Sequence, residues 1–179
     1  MIVQALLFLL DVLASFFSFA LLLRFFMQAF RVSFNNRLGT FVVELTNWLV
    51  RPLRRLLPGF WGLDLASLLP AFLLQAAFAF VLLSLRSPWP LSADADLLLF
   101  ALWRGVLATV RLSLYLFIGA LLVQAVLSWV NPYSPLSQPL AQFTQPVLRP
   151  IQRLVPPIGA VDLSPLIAIV LAQLVLLFV

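Results

Sequence analysis

The sequence predicts an all-α membrane protein in which four transmembrane helices come from two tandem repeats in parallel orientation. Each repeat is predicted to contain a helix, an amphipathic loop and a second helix. Apolar residues make up 64% of the 179-residue chain, against roughly 45–50% in soluble domains, and only 9% of residues are charged, against about 25%. Such a chain has too few ionisable groups to cover a soluble surface, and its mean hydropathy of +1.12 agrees.

An internal repeat fixes the number of predicted spans. A shift of the chain against itself by 98 residues aligns identical residues through both loops and the spans that follow them. The matched residues of the first copy are Thr46, Arg51, Pro52, Arg55, Leu56, Pro58, Asp64, Leu65, Leu68, Leu73 and Gln75. Because one offset aligns charged, polar and proline residues together, we interpret the chain as a duplication, with repeats at residues 1–90 and 97–179.

Four apolar runs approach the length of a bilayer crossing. The first lies within Ile2 to Phe30, and the others are Leu65 to Leu85, Leu112 to Val130 and Leu163 to Val179. As a helix the third would be about 29 Å long and the fourth about 26 Å. Since the hydrocarbon core is about 30 Å thick, we predict four crossings, the last through a thin or locally thinned bilayer.

The distribution of arginine predicts the orientation of these spans. The connections inside the two repeats carry Arg31, Arg37, Arg51, Arg54, Arg55, Arg149 and Arg153. The connection between the repeats is flanked by Arg86, Arg104 and Arg111. The positive-inside rule therefore places both Arg/Pro loops in the cytoplasm and both termini outside.

The two Arg/Pro loops have the period of amphipathic helices. In the first, Glu44, Asn47, Arg51 and Arg55 recur every three or four residues, opposite an apolar face that includes Trp48. The second loop repeats the pattern with Gln142, Gln145, Arg149 and Arg153. This pattern is typical of a helix that lies in the membrane plane. Since Pro52 and Pro150 disfavour helical geometry at the preceding residue, we expect each helix to break or kink at Arg51 and Arg149.

The loop arginines are the candidate contacts to lipid or to a partner. They are Arg51, Arg54, Arg55, Arg149 and Arg153. The simpler interpretation is that guanidinium groups bind anionic head groups of the bilayer. The alternative makes Arg51 and Arg149 a pseudo-symmetric pair at a membrane-protein partner or in a homo-oligomer. The net charge of +5 lies beside apolar runs, so we expect lipid phosphate rather than nucleic acid as the counter-ion.

Asp64 and Asp162 directly precede the second apolar span of each repeat. We expect each to cap its helix, because a carboxylate there accepts backbone N–H bonds and meets the positive end of the helix dipole. The alternative is an ion pair with Arg55 or Arg153.

Polar residues within the spans are candidates for function or for interhelical contacts. Gln75 and Gln173 occupy matching places, and we expect them to hydrogen-bond between helices and so hold the two repeats together, with a conduction path as the alternative. Arg24 is expected to snorkel. Shifted by 100 residues, Asp11 meets Arg111, which predicts an interhelical ion pair at one depth; alternatively each side chain reaches the head groups.

The chain contains no cysteine and no histidine. Disulfides, zinc sites, histidine-ligated haem, thiol nucleophiles and Ser-His-Asp catalysis are therefore excluded within it. The apolar spans also bring together no evident acid and base pair, so we expect no enzymatic activity and no cofactor.

The two loops resemble a known family. The strings VRPLRRLLPGFWGLDLASL and LRPIQRLVPPIGAVDLSPL are similar to the twice-repeated P-x-L-x-P-[IL]-R-R-x-[LI]-P-x-x-G-x-x-D-x-S-P signature of the YggT family of bacterial integral membrane proteins, which is related to YlmG proteins. The corresponding residues are Arg51, Pro52, Arg54, Arg55, Pro58, Asp64, Pro146, Arg149, Pro150, Arg153, Pro156, Gly159, Asp162, Ser164 and Pro165. The chain departs from the signature at Trp48, at Ala66-Ser67 and at Gln152.

The resemblance implies a multi-pass protein of the bacterial inner membrane with no established enzymatic activity. It also implies an association with osmotic tolerance, with cell division or nucleoid organisation, or with assembly of membrane cytochrome complexes in plastids. We therefore expect a scaffold or assembly factor that binds lipid head groups and a membrane partner through its Arg/Pro loops. The alternative is a small channel or transporter subunit that conducts along the repeat interface.

Overall fold

Six helices form the described part of the chain. The computed structural model describes residues 1–57, 63–86, 95–131, 133–155 and 162–179. The helices are α1 (Ile2–Ala29), α2 (Arg37–Leu56), α3 (Leu65–Arg86), α4 (Ala95–Val130), α5 (Ser137–Leu154) and α6 (Ser164–Leu176). The all-helical prediction is confirmed for these residues, and an apolar, an amphipathic and a second apolar helix follow one another twice. The predicted end of the first repeat, at residue 90, lies outside the described residues.

Three of these helices are long and apolar enough to cross a membrane. They are α1, residues Leu65–Leu85 of α3 and residues Asp96–Ser128 of α4. The apolar helix α6 has only 13 residues and is about 20 Å long, shorter than the predicted span of Leu163 to Val179. The fourth crossing therefore stays a prediction.

Helix α4 begins 17 residues before the predicted third span, at Ala95 instead of Leu112. The candidate span is longer than predicted because Arg104 and Arg111 interrupt the apolar run without interrupting the helix. A charged side chain limits burial in lipid, but it does not interrupt backbone hydrogen bonding. No proline lies between residues 95 and 130, and Asp96 occupies the first turn, where an acidic group is favourable.

Neither amphipathic helix breaks at Arg51 or Arg149, and a kink at these residues stays a prediction. Helix α2 continues through Pro52, and α5 continues through Pro146 and Pro150. A proline removes one backbone hydrogen bond and crowds the preceding turn. All three prolines lie on exposed sides of their helices, so the carbonyl groups that lose a partner face the surroundings of the bundle.

The two repeats meet where α3 packs against α4, while α3 also packs on α1. Ala101, Gly105 and Thr109, spaced by four residues, are buried on α4. A Cβ atom built on Gly105 would lie 2.7 Å from the Cβ of Ala76 on α3, so the two backbones are in direct contact. Small residues at this spacing let helices approach closely in lipid. The A-xxx-G-xxx-T pattern was present in the sequence and was not recognised.

Aromatic rings join the repeats at the end of the bundle where α2 and α5 lie. The ring of Phe26 on α1 lies 5.0 Å from that of Phe117 on α4, and the Phe117 ring lies 5.1 Å from that of Phe143 on α5. Phe30 is 5.8 Å from Phe143 in an edge-to-face arrangement. Helix α6 packs on α4 and α5, at the edge of this arrangement.

Replacement of Gly105 by alanine should destabilise the protein, although Gly→Ala normally stabilises a helix. The added methyl group would meet the Ala76 backbone, and overpacking of this kind costs about 1–3 kcal/mol. The matched control is Gly119→Ala on the same helix, where no atom lies within 4 Å of the new Cβ. Thermal unfolding in detergent should show a lower midpoint for Gly105→Ala alone; equal midpoints would contradict the close contact.

Candidate functional site

A half-buried ion pair fixes the connection between α2 and α3. The guanidinium of Arg54 donates to both carboxylate oxygens of Asp64, over 3.3 Å from Nε and 2.5 Å from Nη2. The Arg54 Nη2 also donates to Gln28 Oε1 on α1 over 2.7 Å. The Asp64 side chain is 3% exposed and that of Arg54 is 44% exposed. One arginine therefore holds together three helices of the first repeat.

A second arginine lies fully inside the same repeat. Arg24 on α1 is 4% exposed, and its Nη1 donates to Thr46 Oγ1 on α2 over 2.8 Å. The Thr46 hydroxyl in turn donates to the carbonyl of Val42 over 2.6 Å. The expectation that Arg24 snorkels is wrong, because α2 lies across its path and offers a hydrogen-bond partner. We call Arg24, Gln28, Thr46, Arg54 and Asp64 the first elbow.

The second repeat builds the same arrangement with glutamines. Gln152, the counterpart of Arg54, donates from Nε2 to Asp162 Oδ2 over 2.9 Å. The hydroxyl of Thr144, the counterpart of Thr46, donates to Oε1 of Gln124 over 2.6 Å. Gln124 is itself the counterpart of Arg24 at an offset of 100. We call Gln124, Thr144, Gln152 and Asp162 the second elbow.

The two elbows therefore differ in charge while sharing a geometry. The first contains two arginines and one aspartate, for a net charge of +1. The second contains a single aspartate and two glutamines, for a net charge of −1. The second repeat therefore has the same hydrogen-bonding arrangement but carries glutamine at both positions where the first has arginine.

Asp64 and Asp162 each combine features of a helix cap with features of a side-chain pair to the preceding amphipathic helix, the two roles considered from the sequence. Asp162 Oδ1 accepts the backbone N–H of Ser164, the first residue of α6, over 2.9 Å. The Asp64 carboxylate accepts the Ser67 hydroxyl over 2.7 Å, and its backbone carbonyl accepts the Ser67 N–H. The side-chain partner of each aspartate on the amphipathic helix is Arg54 or Gln152, one residue before the expected Arg55 or Arg153. One residue corresponds to a rotation of about 100° around a helix, which takes Arg55 and Arg153 away from the bundle.

The surroundings of Asp162 favour its ionised form. The Ser164 side chain above all, together with the Ser164 backbone N–H and the Gln152 amide, holds the pKa of Asp162 below its usual range, while burial acts in the opposite direction. The stabilisation is therefore present at neutral pH and is lost only as the pH falls through this lowered pKa.

The remaining loop arginines point outward. Arg51 and Arg55 on α2, and Arg149 and Arg153 on α5, are all exposed. The bundle side of α2 is formed instead by buried residues that include Val42 and Val50. Of the five arginines predicted to contact lipid or a partner, Arg54 is thus engaged inside the repeat, and the other four are displayed on the two amphipathic helices.

The glutamines within the spans have different surroundings. Gln75 is 5% exposed, and its Nε2 donates to Ser18 Oγ on α1 over 3.1 Å. The Ser18 hydroxyl donates to the carbonyl of Ala71, so a short hydrogen-bonded chain joins α1 and α3 within the first repeat. The expectation that Gln75 holds the two repeats together is therefore wrong. Gln173 is exposed on α6. The symmetry expected from the sequence does not extend to this pair, because Ile118 stands in the second repeat where the first has Ser18.

Asp11 and Arg111 lie on the wall of one cavity but do not pair. In the part of the chain that the structure describes, no contact within 4.0 Å joins their charged groups, and Asp11 accepts the Ser15 hydroxyl over 3.5 Å instead. The cavity, of about 430 Å³, is also lined by Gln75 and Arg104. The predicted direct ion pair is therefore not formed, although both residues face the same space.

Sequence reasoning missed the contacts that define the elbows. The signal was present in the repeat itself, because Arg54 and Gln152 each stand ten residues before an aspartate. Likewise Arg24 and Gln124 stand 22 and 20 residues before a threonine. The motif residues Pro58, Pro156 and Gly159 lie outside the described residues, so their roles stay predictions.

The repeat seen in the fold is also found by comparison with known proteins. The model of the CCB3/YggT family matches residues 3–85 and matches again over residues 103–179. The chain belongs to the CCB3/YggT family. The family resemblance of the two loops and the tandem duplication are both confirmed.

Similar proteins are found in several bacteria. An uncharacterized protein of Pseudomonas aeruginosa is 36% identical over 173 residues, which cover 96% of this chain and 86% of that protein. The Escherichia coli K12 protein YggT is 37% identical over 169 residues, which cover 94% and 85%. An uncharacterized protein of Haemophilus influenzae is 33% identical over 150 residues, covering 82% and 76%. No solved structure gives a significant match to this CCB3/YggT chain.

Substitution of Arg54 by alanine should destabilise the protein by about 1–3 kcal/mol, because the buried carboxylate of Asp64 would lose its counter-ion while Arg54 itself is partly solvated. Arg55→Ala, which removes the neighbouring exposed arginine, is the matched control and should have little effect. Thermal or denaturant unfolding in detergent measures both. If the two variants unfold alike, the ion pair does not stabilise the first repeat.

Proposed function

We propose that this member of the CCB3/YggT family is a multi-pass protein of the bacterial inner membrane that acts as a scaffold or assembly factor without enzymatic activity. Its two amphipathic helices bind anionic head groups and a partner membrane protein. The observation that carries the proposal is the display of Arg51, Arg55, Arg149 and Arg153 on helices whose opposite sides are packed on the bundle.

The elbows make these helices a rigid support for the exposed arginines. In the first repeat, Arg24 and Arg54 hold α2 to α1 and α3. In the second, Thr144 and Gln152 hold α5 to α4 and to the segment before α6. A charged group on a fixed helix loses less conformational freedom when it binds than one on a mobile loop, so pre-organisation favours selective recognition.

The lipid-facing surface supports the same role for α2. Phe41, Trp48 and Leu56 are exposed, and Trp48 packs edge-to-face on Phe17 of α1 with ring centres 6.4 Å apart. Tryptophan is favourable at the boundary between hydrocarbon and head groups. An exposed apolar side next to exposed arginines is the arrangement expected of a helix lying in this boundary.

The proposed topology has four crossings, parallel repeats, cytoplasmic elbows and external termini. One ring contact and one shared cavity between α1 and α4 support the parallel arrangement. Phe26 meets Phe117 at one level, and Asp11 shares a cavity with Arg111 at another. Since residue numbers rise in the same direction along both helices between these levels, the first helices of the two repeats run alike.

Single-cysteine labelling should place both elbows on one side of the membrane. The chain has no native cysteine, so Asn35→Cys before α2 and Tyr133→Cys before α5 would each carry the only thiol. Both positions are exposed, as is Ile2, which serves as the control for the opposite side. In spheroplasts, a membrane-impermeant maleimide should label Ile2→Cys at once and the other two only after permeabilisation. Opposite behaviour of Asn35→Cys and Tyr133→Cys would refute the parallel arrangement.

The scaffold role predicts a partner whose retention depends on the exposed arginines. The double variant Arg51→Ala with Arg149→Ala should lose a protein that co-purifies with the wild type in mild detergent. Arg31→Ala with Arg37→Ala removes the same charge, in this case from the first connection alone, and should retain it. Quantitative mass spectrometry, with purification in the reverse direction from the partner, measures the difference. Equal recovery with both double variants would contradict the proposal.

A small channel or transporter subunit is the second candidate, favoured by the polar cavity that contains Asp11, Gln75 and Arg111. Between this cavity and the elbows, however, the helices are filled by buried residues such as Leu21, Leu22 and Leu116. A path along this axis of one chain would therefore have to open a packed core. Reconstituted flux of potassium or small osmolytes that changes in Gln75→Leu with Gln173→Leu would favour this candidate over the scaffold.

A further inference from the structure

Polar side chains from three helices converge in a cavity in the half of the bundle opposite the elbows. Asp11 comes from α1, Gln75 from α3, and Arg104 and Arg111 from α4. The cavity has a volume of about 430 Å³, enough for a ligand group of several non-hydrogen atoms. These four residues are separate from the exposed arginines of α2 and α5.

The rest of the cavity wall is apolar. Phe78, Leu82, Leu83, Phe100, Leu107 and Val179 contribute to it. Gln75, which is 5% exposed, lies furthest from the ends of α3 and forms the deepest polar part. A space with charged groups on one side and aliphatic and aromatic groups on the other matches an amphiphile better than a fully hydrated ion.

The charges of the cavity favour an anion. Arg104 and Arg111 against Asp11 give its ionisable side chains a net charge of +1. Among the described residues no ion pair links these groups, whereas Arg54 and Asp64 of the same protein do form one. A guanidinium at the border of hydrocarbon is strongly stabilised by a counter-ion, and phosphate accepts its paired N–H donors well.

The spacing of the two arginines suits a shared ligand. They are seven residues apart, which is two turns and about 10.5 Å along α4, so both lie on nearly the same side of the helix. An extended arginine side chain reaches far enough for both guanidinium groups to approach one phosphate between them. Asp11 then lies on the facing helix, where it can accept N–H or O–H donors of the same ligand.

We propose that this cavity binds one phosphate-bearing ligand per chain, with the phosphate held between Arg104 and Arg111 and the attached group directed toward Gln75 and the apolar wall. The phosphate can belong to a phospholipid that enters from the bilayer or to a soluble phosphate ester. This site is independent of the head-group binding proposed for the amphipathic helices.

Native mass spectrometry of the detergent-solubilised full chain tests the proposal. The variant Arg51→Ala with Arg149→Ala serves as the background, so that binding at the amphipathic helices does not obscure the cavity. Three probes are compared: phosphatidylglycerol, diacylglycerol with the same acyl chains, and glycerol 3-phosphate. Saturation at one phosphatidylglycerol per chain is expected, with much weaker binding of diacylglycerol. Equal binding of diacylglycerol would overturn the proposal, whereas saturable binding of glycerol 3-phosphate would identify a soluble source.

Two further variants distinguish loss of ligand binding at the cavity from loss of the folded structure. Arg104→Gln with Arg111→Gln should weaken the binding by about tenfold or more, as expected for lost charge-assisted hydrogen bonds. The control Arg31→Gln with Arg37→Gln removes the same charge elsewhere and should bind as the background does. Ala79→Phe, which fills the cavity without a change in charge, should also weaken binding while the thermal midpoint is kept. Unchanged binding in both cavity variants would refute the site.

Discussion

The architecture depends on one constraint: a polar group placed between apolar helices must find its partner within the protein, because hydrocarbon offers none. Arg24 meets this constraint in part, since its Nη1 donates to Thr46 while its buried Nε has no partner among the described residues, and Gln75 meets it with Ser18. Arg54 and Asp64 meet it with each other. Each of these bonds joins two helices, so the few polar groups of the interior also determine how α1, α2 and α3 are arranged.

Because the chain is duplicated, the same hydrogen-bonding arrangement occurs twice, with arginines in the first repeat and glutamines in the second. An amide in place of a guanidinium still forms a hydrogen bond to a threonine or an aspartate. Gln124 and Gln152 therefore keep the threonine and aspartate contacts that two arginines make in the first repeat. The amide carries no charge, so the second elbow is anionic where the first is cationic. The two repeats share a structure but differ in charge, so a charged ligand would bind more strongly to one elbow than to the other.

Composition and repetition were sufficient to predict the helical class, the duplication and the amphipathic helices α2 and α5. They were insufficient where tertiary contacts override local patterns. Pro52 and Pro150 do not end their helices, and Arg104 lies inside a helix although it interrupts an apolar run. Periodicity identified the polar face of α2 but did not distinguish Arg54 from Arg55, because only the packed structure shows which side chain faces Asp64.

Helix α4 is longer than the hydrocarbon layer of a bilayer is thick, so part of it must extend beyond that layer. Its 36 residues extend about 54 Å, and even a steep inclination of about 40° leaves roughly 41 Å along the membrane normal. That exceeds the hydrocarbon thickness by about 11 Å. At least two turns of α4 must therefore lie in the head-group layer or beyond it. They form a rigid extension of the bundle to which a neighbouring molecule can bind without contacting the amphipathic helices.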